Sequence, residues 1–599
     1  MEPSRLNMHL KLGLACAIGL FAGCQSPTPV GADTAPPVDT VVGALDVAEM
    51  ADTMSDNDAE TLSDALEVSD VLPDLSHPDA ATSDVGDDSY TNNASVPCLP
   101  AGVGPKHIIL FVGDGMGAEQ YRAARLAIGG ALSFDSFPQR GYVRTSNYLG
   151  EVTDSAAAAT AMATGFKTRN SAIGVARPGD GSRLESVLEL NQRLGRRVGL
   201  ATVQTPMTDA TPAGFGAHAD YRDQDAKIAE SMLKGTHPNI LFGRASSGMN
   251  PIAAAAAGYV VATDEPSLRS VDAATPHIAG LFGADTEPPL AALTEVALDA
   301  LAEGGQGFFL LLETEQADTG GHNNQLDEVV AAVRALSDAV SVAKAWAAGR
   351  DDTLIIVLSD HETGGLIVSE GPLDAAGLPP HQYTTGGHTG VDVPIFAWGA
   401  GAEVVAGTLE NTQIFQILTP VHHASFQEQA TNLAIAEVTP DLSQLNAVMN
   451  LDQDDPEGSG LEAQGLLRFD GLTTGPDALP AGAVIVSAYL VLTSTDDGDA
   501  LALFSMRIPW DAATTWRSLG GDGVTPDNIE AAMIPDALSR HVDEAGFVVL
   551  EVTERVRAWL AGEENHGWAV ISSFRNGVDI QPVGASDGPR LLVRYLLPR

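Results

Sequence analysis

The sequence predicts an α/β protein with helices on both faces of a central sheet, followed by an all-β sandwich. Between residues 106 and 420, short apolar runs typical of buried strands alternate with helical segments. Nearly every acidic residue or histidine of interest in that region follows directly after a strand, at the edge where open α/β sheets place their active sites. Beyond residue 461 we find only short alternating or apolar runs separated by Gly, Pro and Asp.

The first residues have the pattern of an export signal. Two basic residues precede an apolar run that is too short to span a bilayer and that ends Leu20-Phe-Ala-Gly-Cys24. Small residues before a cysteine resemble a bacterial lipobox, although Phe21 replaces the usual aliphatic residue. We therefore predict a lipoprotein-type signal peptide over 1–23 and lipidation of Cys24, with an ordinary signal peptide cleaved nearby as the alternative. The protein would be exported and lipid-anchored to a bacterial membrane, periplasmic or at the cell surface, or secreted.

Residues 24–105 are predicted to be a disordered acidic linker. There is no Lys or Arg from Gln25 to Pro105, and Asp, Glu, Ser, Thr, Ala and Pro dominate, so this segment cannot bury enough apolar surface to fold. Calcium binding is the alternative, but the Asp residues lack a repeating loop spacing. The formal net charge of -47 argues against nucleic acid as a partner. If Cys16 is cleaved off and Cys24 acylated, Cys98 remains alone and no intramolecular disulfide can form.

The stretch from Glu313 to His322 carries the first chemical signal. It follows the apolar run 307–312, so Glu313 leaves the end of a buried strand. Asp318 and His322 follow in a D-x-x-x-H spacing that puts both on one face of a helical turn, where they suit a zinc ion. If this motif is considered without the others, the alternative is that its acidic residues and histidine are ordinary solvated surface groups.

Two further segments place reactive groups at strand or helix ends. The strand over 106–112 leads to Gly113-Asp-Gly-Met-Gly117, which puts Asp114 at the carboxyl edge of the sheet, with a plain turn as the alternative. An Ala-rich helix follows Asp154 and Ser155, either of which is a natural N-cap, and Gly165 is a fitting end, so Ser155 lies at the helix N-terminus. The amides and the positive dipole end there would stabilise an alkoxide and a phosphate, whereas the alternative is a capped structural helix.

Three later strands each lead to further candidates. The strand over 198–203 precedes Asp209 and Thr211, which offer hard oxygen ligands, and Arg222, whose planar fork suits phosphate. The strand over 353–358 is followed by Asp360 and His361, and His388 precedes the strand over 393–398.

Together these residues resemble the alkaline phosphatase family over roughly Lys106 to Leu418. The resemblance implies two zinc ions and one magnesium ion, with Ser155 as the nucleophile that forms a phosphoserine and Arg222 as the phosphate clamp. The first zinc would be held by Asp318, His322 and His388. The second would be held by Asp114, Asp360 and His361. The magnesium ligands would be Asp114, Thr211 and Glu313, with Asp209 acting through water.

We therefore predict a metal-dependent phosphate monoester hydrolase. The alternatives are a phosphodiesterase or phosphonate-type hydrolase of the same superfamily, or an inactive phosphatase-like surface adhesion protein. The magnesium ligands and the arginine clamp favour a monoesterase over a phosphodiesterase, and the complete ligand set argues against a decayed scaffold. Donors of this kind also admit cobalt or manganese.

Two features depart from the family pattern. Thr319 follows Asp318 where many relatives carry a lysine or histidine, and we expect weaker binding of the phosphate product. The segment between His361 and His388 is short, so the accessory subdomain that many relatives insert there is reduced and the usual homodimer is in doubt.

After a predicted connector over 421–451, residues 452–599 resemble the DNRLRE domain, a jelly roll related to carbohydrate-binding modules. The resemblance implies a polysaccharide or cell-surface ligand. Trp510, Trp516 and Trp559 could stack on sugars, but a buried aromatic core is the favoured interpretation.

Overall fold

The computed structural model describes residues 104–427, 433–438, 443–444, 449–451, 463–475, 477–511, 514–520, 523–573, 576–581 and 587–598. The predicted signal peptide, Cys24 and the linker up to residue 103 lie outside the described residues. All described residues belong to one compact unit, Val85–Arg599. Within this part of the chain, no helix combines the length and the apolar character needed to cross a bilayer.

The strands are, in chain order, β1 His107–Gly113, β2 Gln139–Arg144, β3 Arg197–Pro206, β4 Ile240–Arg244, β5 Val260–Ala262, β6 Ile278–Phe282, β7 Phe308–Thr314, β8 Thr353–Leu358, β9 Glu362–Thr363, β10 Leu366–Val368, β11 His381–Tyr383, β12 His388–Thr389, β13 Val393–Gly399, β14 Gly407–Glu410, β15 His422–Gln427, β16 Leu433–Val438, β17 Ser443–Gln444, β18 Met449–Asn450, β19 Gln464–Phe469, β20 Val484–Thr493, β21 Leu501–Ser505, β22 Ala537–Leu538, β23 Phe547–Glu551, β24 Trp568–Ser572, β25 Asp579–Ile580 and β26 Arg590–Leu596. The helices are α1 Ala118–Ile128, α2 Ser155–Thr164, α3 Val187–Arg193, α4 Ala210–Gly216, α5 Asp225–Glu230, α6 Pro251–Ala256, α7 Glu265–Arg269, α8 Leu290–Ala302, α9 Gln316–His322, α10 Leu326–Trp346, α11 Asn411–Ile417 and α12 Thr553–Leu560.

The central sheet confirms the predicted α/β core. Its ten strands run in the order β14-β2-β13-β8-β1-β7-β3-β4-β6-β5, and all are parallel except β13. The strands β1, β7 and β8 at its centre are buried along their whole length and carry continuous apolar runs, because helices cover both faces of the sheet. Their carboxyl ends therefore meet at one edge, which is where the predicted site residues begin.

The C-terminal region is rich in antiparallel strands, as the sequence predicted. One sheet has the order β15-β26-β20-β23, a second has the order β17-β16-β19-β24-β21-β22, and β18 pairs with β25. Strands β15 to β18 fall inside the stretch predicted as a connector over 421–451, so these sheets begin before the predicted boundary at 452. A jelly-roll topology and kinship to the DNRLRE domain remain predictions.

The three tryptophans considered as sugar-stacking residues belong to the core. Trp510, Trp516 and Trp559 are all buried, each at no more than 6% exposure, and pack in hydrophobic clusters. This confirms the favoured interpretation, because an aromatic ring inside a core offers no face to a sugar. The idea that these three rings form a stacking platform is wrong.

Candidate active site

Four neighbouring strands bring the predicted ligands together. In the order β8-β1-β7-β3 the chains run parallel, and Val112 of β1 lies opposite both Leu358 of β8 and Glu313 of β7. Asp114 and Asp360 each follow two residues after this registered pair. This register explains why residues more than 200 positions apart in the sequence meet at one edge of the sheet.

Ser155 is the first residue of α2, and of the two N-cap candidates it is Asp154 that takes that position. The Asp154 side chain caps this helix by accepting from the Ala157 backbone N–H at 2.9 Å. Ser155 is buried, and its Oγ lies 3.1 Å from Nε2 of His361. The hydroxyl thus sits beside the free amides at the start of a helix and in contact with a predicted metal ligand.

Asp114, Asp360 and His361 form one candidate metal group, and their ligand atoms lie within 4.8 Å of one another. Nε2 of His361 is 3.5 Å from Oδ1 of Asp114 and 3.1 Å from Oδ2 of Asp360. Burial, followed by the charge of Asp360, raises the pKa of Asp114 well above its ordinary value. Burial also lowers the pKa of His361, which favours the neutral imidazole that a metal requires.

Gly115 allows the segment that carries Asp114 to approach the helix that carries Asp318. Its φ of 70° is in the left-handed region, and an added Cβ would lie 2.7 Å from Cα of Asp318. The predicted glycine turn therefore permits close approach between the segment that carries Asp114 and the helix that carries Asp318.

Asp318, His361 and His388 form a second candidate group, and His322 adjoins it. Oδ2 of Asp318 is 3.2 Å from Nε2 of His322, and Oδ1 is 3.4 Å from Nε2 of His388. Burial acts to raise the pKa of Asp318, but the hydrogen bond from His388 and the neighbouring imidazoles lower it to about 2.

Backbone carbonyl groups orient the imidazoles of His322 and His388. Nδ1 of His322 is 2.6 Å from the Gly386 carbonyl oxygen, and Nδ1 of His388 is 2.9 Å from that of Thr153. Because each carbonyl engages Nδ1, each Nε2 faces Asp318, and the two Nε2 atoms lie 3.2 Å apart. This is the arrangement expected of imidazoles that share a cation.

A third candidate group contains Asp114, Glu313 and Glu315. Glu313 accepts from the Thr202 hydroxyl at 2.6 Å, and burial raises its pKa to about 8. Thr211 is also buried here, and its Oγ1 has no hydrogen-bond partner among the described residues.

Glu315 was missed by the sequence analysis. Glu315 lies between the end of β7 and the start of α9, so its position directly after a buried strand was a usable signal. Thr319, the residue that departs from the family pattern, is half-buried, and its Oγ1 lies 3.5 Å from Oε1 of Glu315.

Arg222 lies between two of the site's carboxylates. Its guanidinium donates to Oδ2 of Asp154 at 3.3 Å and to Oδ1 of Asp209 at 3.2 Å. Asp209 caps α4 by accepting from the Ala210 backbone N–H at 2.7 Å, and the Thr205 hydroxyl donates to it as well. Because Asp154 precedes Ser155, the guanidinium stands beside the start of α2, within the same site as the Ser155 hydroxyl.

An open α/β sheet with a serine, histidines and clustered carboxylates at its carboxyl edge has the groups that metal-dependent hydrolysis requires. The alkaline phosphatase family profile matches residues 105–251, 280–381 and 378–423. Alkaline phosphatase 3 of Bacillus subtilis is 28% identical over 408 residues, which span 52% of this chain and 87% of that protein. Alkaline phosphatase of Escherichia coli is 28% identical over 439 residues, which span 57% of this chain and 90% of that protein. This part of the chain belongs to the alkaline phosphatase family.

Among solved structures, the alkaline phosphatase of the Antarctic bacterium TAB5 is 29% identical, with a TM-score of 0.47. The match covers 53% of this chain and 97% of that one. A variant of that enzyme has been solved with Mg bound.

Proposed function

We propose that this protein hydrolyses phosphate monoesters through a phosphoserine on Ser155 at a site for two zinc ions and one magnesium ion. The observation that carries the proposal is the contact between the Ser155 hydroxyl and His361, at a helix N-terminus and beside three groups of ligand atoms. Family membership supports metal-dependent phosphatase chemistry for this region.

The donor set fits divalent cations. Asp114 Oδ1 and Asp360 Oδ2 are buried and, apart from the nearby Nε2 of His361, face no hydrogen-bond partner among the described residues, which is costly unless a cation binds them. Clustered buried carboxylates also raise one another's pKa, and a bound cation would reverse that effect. We assign the first zinc to Asp318, His322 and His388, the second to Asp114, Asp360 and His361, and the magnesium to Asp114, Thr211 and Glu313, with Asp209 reaching it through water.

Bound ions of this kind hold the attacking and leaving oxygens of a phosphoryl transfer and offset their charge. Ser155 Oγ forms the new bond to phosphorus as the bond from phosphorus to the ester oxygen breaks. The proton lost by the hydroxyl passes through water to the ester oxygen, which leaves as the alcohol. Water then attacks the phosphoserine, which releases inorganic phosphate and restores the hydroxyl. The helix N-terminus stabilises the negative charge at Ser155 during both steps.

Arg222 would hold the phosphoryl group in line. Its planar fork can donate to two non-bridging oxygens at once, which the point charge of a lysine cannot do. Asp154 and Asp209 already fix the guanidinium beside Ser155, so little rotamer freedom is lost when phosphate binds.

The test is metal content together with p-nitrophenyl phosphate turnover at alkaline pH, in the intact protein and in Ser155→Ala. We expect zinc and magnesium in both proteins and turnover only in the first. Ser505→Ala removes a buried hydroxyl from strand β21 and serves as the matched control. Unchanged turnover in Ser155→Ala, or no turnover in the metal-loaded intact protein, would refute the proposal.

Substrate class is tested separately. If the purified protein cleaved bis(p-nitrophenyl) phosphate faster than p-nitrophenyl phosphate, the monoesterase assignment would be wrong and the diesterase alternative would replace it.

We also propose that the protein is exported and anchored through an acylated Cys24, and that its C-terminal region binds a polysaccharide or cell-surface ligand. The lipobox resemblance supports the first proposal and the DNRLRE resemblance supports the second. Mass spectrometry of the mature N-terminus tests acylation, with Cys24→Ala as control. Gel retardation of the intact protein by a panel of polysaccharides tests binding, and no retardation across the panel would refute it.

A further inference from the structure

Backbone hydrogen bonds join the C-terminal region to the loop between α2 and α3. Asp180 donates its backbone N–H to the Phe547 carbonyl oxygen at 3.0 Å, and Phe547 donates to that of Pro178 at 3.1 Å. A Cβ added to Gly179 would lie 2.0 Å from the Phe547 carbonyl oxygen, so this approach requires glycine. The loop and the first residue of β23 are therefore held together closely.

Two acidic residues just before β23 extend this contact to arginines of the loop. Glu544 pairs with Arg169 at 2.6 Å through Oε1 and NH1. Asp543 pairs with Arg177 at 2.8 Å through Oδ2 and NH1. The family profile ends at residue 423, so Asp543 and Glu544 belong to a part of the chain that it does not match.

The same two arginines hold the residues that precede Arg222. Arg169 donates to the Tyr221 hydroxyl at 3.1 Å, and its guanidinium lies 5.5 Å from the centre of the Tyr221 ring. NH2 of Arg177 is 3.0 Å from Oδ1 of Asp220. Each arginine thus bridges the C-terminal region and the segment 220–221.

The backbone completes the connection to the proposed phosphate clamp. Arg222 donates its backbone N–H to the Ser171 carbonyl oxygen at 2.8 Å, and Ile173 and Ala219 exchange two backbone hydrogen bonds. The segments 169–173 and 219–222 therefore form one paired unit, from which the Arg222 side chain extends to Asp154 and Asp209.

We infer that Asp543 and Glu544 are positioning residues for Arg222, so that the C-terminal β region takes part in phosphate binding. This inference rests on the proposed function, because it gives Arg222 the role of clamp. The physical reason is entropic: an arginine without its carboxylate partner samples many rotamers, and Tyr221 and Asp220 then lose a fixed neighbour.

The experiment compares Glu544→Gln with Glu551→Gln in the full chain. The control removes another ion pair across the same interface, from Glu551 to Arg193 at 3.3 Å, which has no contact with segment 219–222 among those described. For Glu544→Gln we expect faster amide hydrogen exchange in 219–223 and a roughly threefold to fivefold rise in KM and in the Ki of inorganic phosphate, with kcat little changed. Glu544→Asp should restore part of the loss, and adding Asp543→Asn should increase it.

A double-mutant cycle tests whether the effect passes through Arg222. In an Arg222→Lys background, Glu544→Gln should raise KM only slightly further. If Glu544 acted independently of Arg222, the substitution would raise KM by the same factor in both backgrounds. Unchanged exchange in 219–223, or changed exchange with unchanged phosphate affinity in an active enzyme, would overturn the inference. Absence of turnover in the intact protein would instead count against the proposed function, and the exchange comparison would still report on the loop.

Discussion

Oγ of Ser155 lies 3.1 Å from Nε2 of His361, although the two residues are 206 positions apart in the sequence. Ser155 begins helix α2, and His361 follows strand β8 at the carboxyl edge of the sheet. The contact joins the proposed nucleophile to a residue shared by two of the three candidate metal groups.

Replacing His361 should impair both metal binding and turnover. We expect His361→Ala to lower p-nitrophenyl phosphate turnover by more than about a hundredfold and to reduce the bound zinc, because one imidazole serves two groups of ligands. Turnover and metal content by mass spectrometry check this. His541→Ala, at an exposed histidine of the C-terminal region, is the control and should change neither. A variant with full zinc content and normal turnover would exclude His361 from the site.

Metal removal should make stability depend on pH. In the metal-free protein, burial raises the pKa of Glu313 from its ordinary 4.5 to about 8, so the folded state binds more protons than the unfolded state between these values. The free energy of unfolding should therefore fall as pH rises from about 4.5 to 8, by on the order of a few kcal/mol.

Urea unfolding of chelator-treated protein at several pH values measures this slope. Glu313→Gln should flatten it, and magnesium added to the wild type should do so as well, because a cation binds the deprotonated carboxylate. A metal-free protein whose stability increases over the same pH range would contradict the expected protonation of Glu313.

Arg222→Lys should weaken phosphate binding. The substitution keeps the positive charge but loses the bidentate fork, and the Ki of inorganic phosphate should rise by roughly tenfold to a hundredfold. Inhibition of p-nitrophenyl phosphate turnover measures it. Arg144→Lys, at an exposed arginine that pairs with Glu410, is the matched control. Equal inhibition of the two variants would argue against a clamp at Arg222.

Thr319→Lys should strengthen product inhibition. Thr319 lies beside Asp318, and a lysine there adds a cation near the proposed phosphate site. We expect the Ki of inorganic phosphate to fall by roughly tenfold or less, and Thr319→Gln to leave it near the wild-type value, since Gln lacks the charge. Identical inhibition in the Lys and Gln variants would show that position 319 does not act on phosphate.

Glu185→Gln should destabilise the protein. Glu185 and Arg594 are both 4% exposed and ion-paired, and Ser487 donates to Glu185 at 2.8 Å. Removing one charge leaves the other buried without full compensation, which costs roughly 3–5 kcal/mol. Urea denaturation measures this, with Glu230→Gln as the control because Glu230 and Lys234 form an exposed pair worth about 0.5 kcal/mol or less. Equal stabilities for the two variants would contradict the expected cost.

The sequence by itself determined the α/β core, because fully buried strands need continuous apolar runs such as those of β1, β7 and β8. It also indicated that Ser155 lies at the N-terminus of a capped helix and that Asp318 and His322 share a helical turn, since caps and helical spacing are local properties.

Only the tertiary structure decided which side chains meet. The order β8-β1-β7-β3 places Asp114 between Glu313 and Asp360, and Glu315 enters one candidate group through that packing. Strands β15 and β18 take their places by pairing with the distant strands β26 and β25, which the weakly patterned stretch over 421–451 does not reveal. The bridges from Asp543 and Glu544 to the Arg222 segment likewise depend on contacts between residues hundreds of positions apart, and no local pattern encodes such distances.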